Sequence, residues 1–342
     1  MPSARRLLAT QLANGLLRPG ADEEYGDRGQ TAWREIDWLA LQRSVVVGDT
    51  RVNYVDSGGS LPPLLLLHGL GGNWQNWLLN IPAFMGTYRV VAVDLPGFGR
   101  SEMPAEPISI QGYARCLDAF SEHLGVDAAA VAGNSMGGFI GAELAVAFPP
   151  RVERLVLVSA AGLSIEHQRR EPLLSLARAS QMTAGWFLGR SELMARRARL
   201  RRAALQFVLR YPERLSAPLT WELLQGMGRP GYADALEALM SYSFRDRLPE
   251  IECPTLIVWG RNDMLVPVGD ANEFAQLIGA NARKVVFHDT GHTPMIERPG
   301  RFNRTLADFL SEEPAEPESY DLEGTGNGVP SASTADGAVR GA

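Results

Sequence analysis

Gly133-Asn134-Ser135-Met136-Gly137-Gly138 stands between a short apolar run, Ala129–Ala132, and a segment of helical spacing. A strand that turns this sharply into a helix forces its central residue into strained backbone angles. Glycine two positions to either side removes the side chains that would collide there. The turn holds the hydroxyl of Ser135 out above the sheet as a nucleophile, and the strand-turn-helix setting is what separates this reading from a glycine-rich turn with an incidental serine. The amide of Met136, at the head of the helix, faces the place where an oxyanion would form.

A serine nucleophile needs a base, and the chain has five histidines. His123 lies near the end of an amphipathic helix, His167 in a helical interval, His288 at the close of a strand, and His68 in a glycine-rich loop directly after a buried strand, where a structural hydrogen bond suits it better. His292 remains. In Gly291-His292-Thr293-Pro294 the Thr and Pro suit an N-cap and a first helical position, so the loop can carry an imidazole to the sheet's carboxyl edge. The acid should follow the nucleophile and precede the base in chain order. Trp259-Gly260-Arg261-Asn262-Asp263 puts a carboxylate just past an apolar strand, whereas Ser159-Ala160-Ala161-Gly162, after the preceding strand, has none. Asn262-Asp263 is also good turn chemistry, and a plain turn aspartate is the competing role.

A tetrahedral intermediate needs a second amide donor, which His68-Gly69-Leu70-Gly71-Gly72 can present without competing side chains. Leu70 is the expected donor beside Met136. Gly69, Asn134 and, from the helical interval, Trp186 are the candidate substrate contacts. Asp94-Leu95-Pro96-Gly97-Phe98-Gly99-Arg100-Ser101 reads as a scaffold turn whose charged ends are fixed by pairing or backbone bonds.

These loops need a sheet beneath them. Val45-Val46-Val47, Gly48-Asp49 and Val52-Asn53-Tyr54-Val55 predict a β-hairpin. Thereafter short apolar runs alternate with helix-length segments, the pattern of an α/β fold whose mostly parallel sheet is covered on both faces. The strands expected are Leu64–Leu67, Val90–Val93, Ala129–Ala132, Leu155–Val158, Thr255–Trp259 and Lys284–Phe287; the helices include Ile110–His123, Gly137–Ala147, Val268–Leu277 and Pro294–Leu310. The alternation stops over residues 161–248, which read as an inserted helical cap between core segments 43–160 and 249–312. Its Met182, Trp186, Phe187, Phe207, Trp221, Met227, Met240, Tyr242 and Phe244 line an apolar acyl pocket or, as is commoner for such residues, pack the cap itself. Arg196, Arg197, Arg199, Arg201 and Arg202 read as a solvated helix face opposite Leu200, Ala204 and Phe207. Residues 1–42 form an N-terminal extension, and residues 313–342, rich in Glu, Pro, Ser, Gly and Ala, a disordered tail.

Composition narrows the chemistry. Hydrophobic residues make up 45% and charged residues 21% of the 342, enough to bury a full core, and the net charge of -6 gives no long-range pull toward nucleic acid. Cys116 and Cys253 sit apart among apolar neighbours, which argues against a disulfide scaffold or a zinc site. Lys284, the only lysine, falls on a surface strand, which leaves Schiff-base and Ser-Lys catalysis without a candidate. No stretch approaches the ~20 apolar residues of a membrane span. The expected compartment is the cytoplasm. Leu7, Leu8, Leu12, Leu16 and Leu17 allow a short amphipathic helix that packs on the domain, frays or makes weak peripheral membrane contact.

The motifs together resemble those of the α/β-hydrolase superfamily over roughly Ser44 to Leu310. Asn134-Ser135-Met136-Gly137-Gly138 is similar to the motif of capped esterases and of the meta-cleavage-product C–C hydrolases. The C–C enzymes usually carry proline in the oxyanion loop and tryptophan soon after the catalytic histidine; here Asn73 follows Gly71-Gly72, and Thr293-Pro294-Met295 follows His292. Both departures favour a capped serine esterase or lipase-like member. Serine at position 135 argues against the dehalogenases and epoxide hydrolases of this fold, which use aspartate. The resemblance implies hydrolysis of a small-molecule carboxylic ester by Ser135, His292 and Asp263, with no metal or organic cofactor required. C–C cleavage or perhydrolysis on the same scaffold, and a non-catalytic binding or membrane-surface module, are the alternatives.

Overall fold

The structure is a computed structural model that describes residues 24–164 and 191–312. Among them, β1 (Gln42–Val47), β2 (Thr50–Asp56), β3 (Pro63–Leu67), β4 (Arg89–Val93), β5 (Ala129–Asn134), β6 (Val152–Val158), β7 (Thr255–Gly260) and β8 (Ala282–Phe287) form one sheet in the order β1-β2-β4-β3-β5-β6-β7-β8. β1 and β2 are the expected hairpin, with Val47 opposite Thr50 and Gly48 at φ +58 in the two-residue turn. β2 pairs antiparallel with β4, and the six strands from β4 to β8 are mutually parallel.

The chain leaves β3 toward β4 on one side and returns as β5 on the other, so the loops after β3 and β5 part at the carboxyl edge. Open α/β sheets place their ligands at such a switch point. Register aligns the edge: Leu67 lies opposite Gly133, Asn134 opposite Val158 and Gly260 opposite Phe287. The loops that carry Ser135, Asp263 and His292 all leave this edge.

The central parallel strands are apolar on both faces because both are covered, whereas the edge strand β8 leaves Arg283 and Lys284 exposed. Leu65, Leu67, Val131, Leu155, Leu157 and Ile257 belong to one buried cluster, which takes in α1 (Ile110–His123) and α2 (Met136–Ala147). Leu64, Leu66, Ala130, Ala132, Val156 and Val258 belong to the other. Helix α1 begins at Ser109, whose hydroxyl accepts the Gly112 amide at 3.0 Å, and it buries the stripe Ile110, Tyr113, Ala114, Leu117 and Phe120. Helix α2 is buried at every position from Met136 to Ala145, as the helix following a central strand must be.

Between β6 and β7 the described residues form α3 (Ser191–Arg196), α4 (Ala198–Leu205), α5 (Ala217–Leu224) and α6 (Tyr232–Ser241). His167, Met182, Trp186 and Phe187 lie outside the described residues. Met240 and Phe244 are buried, whereas Phe207, Trp221 and Met227 are exposed. Of the arginine run, Arg196, Arg197, Arg199 and Arg202 are exposed as expected, and Arg201 departs from that face. Arg197 is extended, at φ -109 and ψ 114, which ends α3 and resets the helical phase. Arg201 therefore turns inward, donating to the carbonyls of Ala195 at 2.6 Å and Glu213 at 3.0 Å, while Leu200 and Phe207 stay exposed.

α7 (Val268–Ile278) matches its expectation, but the single helix expected over Pro294–Leu310 is two: α8 (Pro294–Glu297) and α9 (Pro299–Ser311). Arg298 between them sits at φ -131 and ψ 57. Pro299 has no N–H to donate, and its ring pushes the preceding residue out of the helical region. The described part of the N-terminal extension packs on the domain. Tyr25 and Trp33 are buried in the second cluster, and Asp27 accepts from the Ser216 hydroxyl at 2.5 Å and pairs with Arg34 at 2.7 Å. The N-terminal leucines and residues 313–342 lie outside the described residues.

Candidate active site

Ser135 follows β5 at φ +54, one of three non-glycine residues in the left-handed region among the described residues. Glycine on either side is a requirement of space: a Cβ on Gly133 would overlap the Gly137 backbone, and one on Gly137 would overlap the carbonyls of Leu67 and His68. The Ser135 N–H donates to Val158 O at 2.9 Å, and its carbonyl accepts from Phe139 and Ala161, each at 3.1 Å. These bonds over-determine a conformation that would otherwise relax.

Asp263 lies in the turn after β7. Its Oδ1 accepts the amides of Leu265 and Val266, each at 2.9 Å, and its Oδ2 accepts from His292 Nδ1 at 2.8 Å. The backbone bonds hold the carboxylate before the histidine is considered. With Nδ1–H directed at Asp263, the lone pair of His292 falls on Nε2, the form able to take a proton from a hydroxyl. The two side chains are 5% and 0% exposed, so water competes little for this bond. The His292 loop crosses Gly260 so closely that a Cβ there would overlap Gly291 O, and its path is tied by Asn262 N–H to Thr290 O at 2.9 Å.

Asn134, read above as a substrate contact, is 3% exposed and donates both amide hydrogens to backbone, to Val158 O at 3.0 Å and His292 O at 3.1 Å. It thus bolts the histidine loop to the serine turn. Gly69 lies against the same turn: a Cβ there would stand 3.1 Å from Ser135 Cβ. Leu70 follows it, half-buried, and among the described residues its N–H makes no backbone hydrogen bond. The Met136 N–H opens α2 and so has no acceptor one turn back. His68 has the structural role assigned to it. It is fully buried, donates from Nδ1 to Gly69 O at 2.8 Å and accepts the Leu95 amide on Nε2 at 3.0 Å, and burial lowers its pKa. Asp94 is scaffold too, accepting from Asn53, Trp74 and Arg100, each at 2.8 Å.

Three residues near these loops had no mark in the sequence. Glu297, 0% exposed, accepts hydrogen bonds from both sides of His292. Burial raises its pKa above the ordinary carboxylate value, against the opposing pull of bonds from Gly291, Arg210, Tyr25 and Thr293. Tyr25 comes from the segment read as an extension. Tyr232, at the start of α6, lies against Gly71 of the loop after β3, where a Cβ would meet its ring at 3.1 Å. Cys116 and Cys253 are free and pushed up to about 11 by burial, so neither is a thiolate nucleophile at neutral pH. Among the described residues no three of His, Cys, Asp and Glu gather as metal ligands, and no helix is long and apolar enough to cross a membrane.

Residues 62–299 match the family model of the α/β hydrolase fold. The chain belongs to that family. It is 32% identical over 285 residues to the dihydrolipoyllysine-residue acetyltransferase component of an acetoin cleaving system from Cupriavidus necator, covering 81% of this chain and 71% of that one. With the 2-hydroxymuconate semialdehyde hydrolase of a Pseudomonas species it shares 31% identity over 294 residues, 80% of this chain and 95% of that one. A solved bacterial membrane phospholipase A superposes with a TM-score of 0.63 at 28% identity, covering 90% of this chain and 96% of that one. A transferase component, a semialdehyde hydrolase and a phospholipase share the scaffold, so membership by itself does not choose a reaction.

Proposed function

We propose that the protein is a serine hydrolase that cleaves carboxylic esters with small to medium, apolar acyl groups. The observation that carries this reading is the 2.8 Å bond from His292 Nδ1 to Asp263 at the sheet edge where Ser135 stands on its strained turn. Ser135 Oγ attacks the ester carbonyl while His292 Nε2 takes its proton, and the amides of Leu70 and Met136 receive the oxyanion. The imidazolium, oriented by Asp263, then returns the proton to the leaving alcohol. Water, deprotonated by His292, attacks the acyl-enzyme; the carboxylic acid leaves and Ser135 Oγ regains its proton. In this reading the helices between β6 and β7 are the cap, and Gly69 and Trp186 contact substrate.

The test is labelling by a fluorophosphonate, followed by turnover of p-nitrophenyl esters of graded chain length. Label on Ser135 and ester turnover that falls on the order of 10⁶-fold in Ser135→Ala are expected; unchanged turnover in that variant refutes the assignment. A second reading, C–C hydrolysis of meta-cleavage-type dienones, is favoured by the 31% identity to the semialdehyde hydrolase. Against it stand Asn73 and Thr293-Pro294-Met295, where the C–C enzymes usually carry proline and tryptophan. Dienone turnover without ester turnover would select it.

A further inference from the structure

Glu297 is a buried carboxylate that the proposed chemistry does not use, and its contacts surround the histidine that the chemistry does use. Its Oε1 accepts the Gly291 amide at 2.9 Å and the Thr293 amide at 3.3 Å, the residues on either side of His292. Its Oε2 accepts the Arg210 amide at 2.9 Å and Tyr25 Oη–H at 2.8 Å. The first of these comes from the helical insertion and the second from the N-terminal segment. The insertion also meets the loop directly, since His292 N–H donates to Val208 O at 2.9 Å.

Burying a carboxylate without donors is strongly unfavourable, and here both oxygens face N–H or O–H donors. Aspartate, one methylene shorter, would not reach both sets. Glutamine would turn an NH₂ toward a backbone N–H whichever way its amide lay, because each oxygen accepts at least one such donor.

We infer that Glu297 is a positioning residue for His292: its carboxylate fixes the peptide groups flanking the imidazole and ties them to the helical insertion and to Tyr25. The kinetic part of this role rests on the serine-hydrolase reading above; the positional part does not. A displacement of the imidazole by about 1 Å lowers turnover by up to about 10²-fold, so the role belongs to kcat rather than to KM.

Glu143→Gln is the control. Glu143 is likewise buried, 2% exposed, and accepts from Tyr242 Oη at 2.7 Å and from Arg247, but it lies on α2, and among the described residues it makes no hydrogen bond to the histidine loop. The experiment measures kcat and KM for p-nitrophenyl acetate, thermal unfolding, fluorophosphonate labelling and the low-field NMR signal of the His292 Nδ1–H in Glu297→Gln, Glu143→Gln and wild type. Glu297→Gln is expected to shift or broaden the imidazole signal and to lower kcat by about 10- to 100-fold, with KM within about twofold. Glu143→Gln is expected to lower the unfolding temperature and leave both the signal and kcat in place. Unchanged signal and kcat in folded Glu297→Gln overturn the inference, as do equal kcat losses in the two variants at equal losses of stability. If Glu297→Gln does not fold, Tyr25→Phe removes one donor and keeps the ring; an unshifted imidazole signal there overturns it equally. Wild type that takes no label on Ser135, with an imidazole signal that still moves in Glu297→Gln, refutes the serine-hydrolase reading and supports the positional role.

Discussion

The turn at Ser135 and the loop at His292 lie on one sheet edge and are held by opposite means. The serine is placed by backbone: Gly133 and Gly137 let the elbow close, and hydrogen bonds from its N–H to Val158 O and from the Phe139 and Ala161 amides to its carbonyl lock its φ of +54. The histidine adds side chains to its backbone bonds with Val208 and across Thr290: Asp263 on its ring, Asn134 on its carbonyl and Glu297 on the amides to either side. In the proposed reaction a nucleophile on a strained turn works from a fixed point. An imidazole that must serve two partners needs its ring plane and tautomer set as well, which backbone packing alone cannot do.

Among changes that leave Ser135 in place, removing the side-chain half of this arrangement should have the largest effect on turnover. In Asp263→Asn the remaining oxygen is best kept on the amides of Leu265 and Val266, which turns the new NH₂ toward His292 Nδ1. The ring must then carry its proton on Nε2, where it cannot accept from Ser135. The expected loss in kcat is on the order of 10⁴, about 5 kcal/mol of transition-state stabilisation, with the fold retained by circular dichroism. Ester turnover within tenfold of wild type would show that the ring's tautomer is not set by this bond.

Removing the backbone half should appear in stability first. Gly137→Ala drives a methyl group against the carbonyls of Leu67 and His68, at the end of β3. Neither carbonyl can yield without moving β3, so the expected destabilisation is about 3 kcal/mol, read as a lower urea midpoint, together with lost labelling of Ser135. A variant of wild-type stability would mean that the elbow has slack the packing does not suggest.

The two halves also differ in how far they could be read from the chain. Glycine spacing around Ser135 is local, and so are the strand before it and the helix after it; that region, the sheet and the order Ser135, Asp263, His292 were all visible. Glu297 was not. It sits in Ile296-Glu297-Arg298-Pro299 as a polar residue on what reads as one amphipathic helix, and its burial depends on Tyr25, 272 positions away. Tyr25 in turn lies in a polar stretch without apolar period, so nothing local marks it as core. The break before Pro299 was legible from proline alone, but the apolar spacing of Phe302, Leu306 and Phe309 carried the helix through it. Asn134 was singled out as a substrate contact, but its amide is spent on two backbone acceptors, on β6 and in the histidine loop, partners that only the folded sheet brings within reach.

The smallest effect sharpens the comparison most, because it separates a carboxylate that holds the fold from one that holds the site. Glu143 joins α2 to the segment after α6 through Tyr242 and Arg247, on the face of the sheet that holds the first buried cluster. Arg247 is 34% exposed on its side chain, so solvent screens the pair and the full value of a buried ion pair does not apply. In Glu143→Gln the amide oxygen can still accept from Tyr242 or Arg247, and one charge-assisted bond is lost. The expected change is about 1–2 kcal/mol in unfolding free energy, with kcat for short esters unchanged. A fall in kcat without a fall in stability would mean that the helical insertion reports to the active site through α2 as well as through the His292 loop, and the division between a backbone-held serine and a side-chain-held histidine would then be too simple.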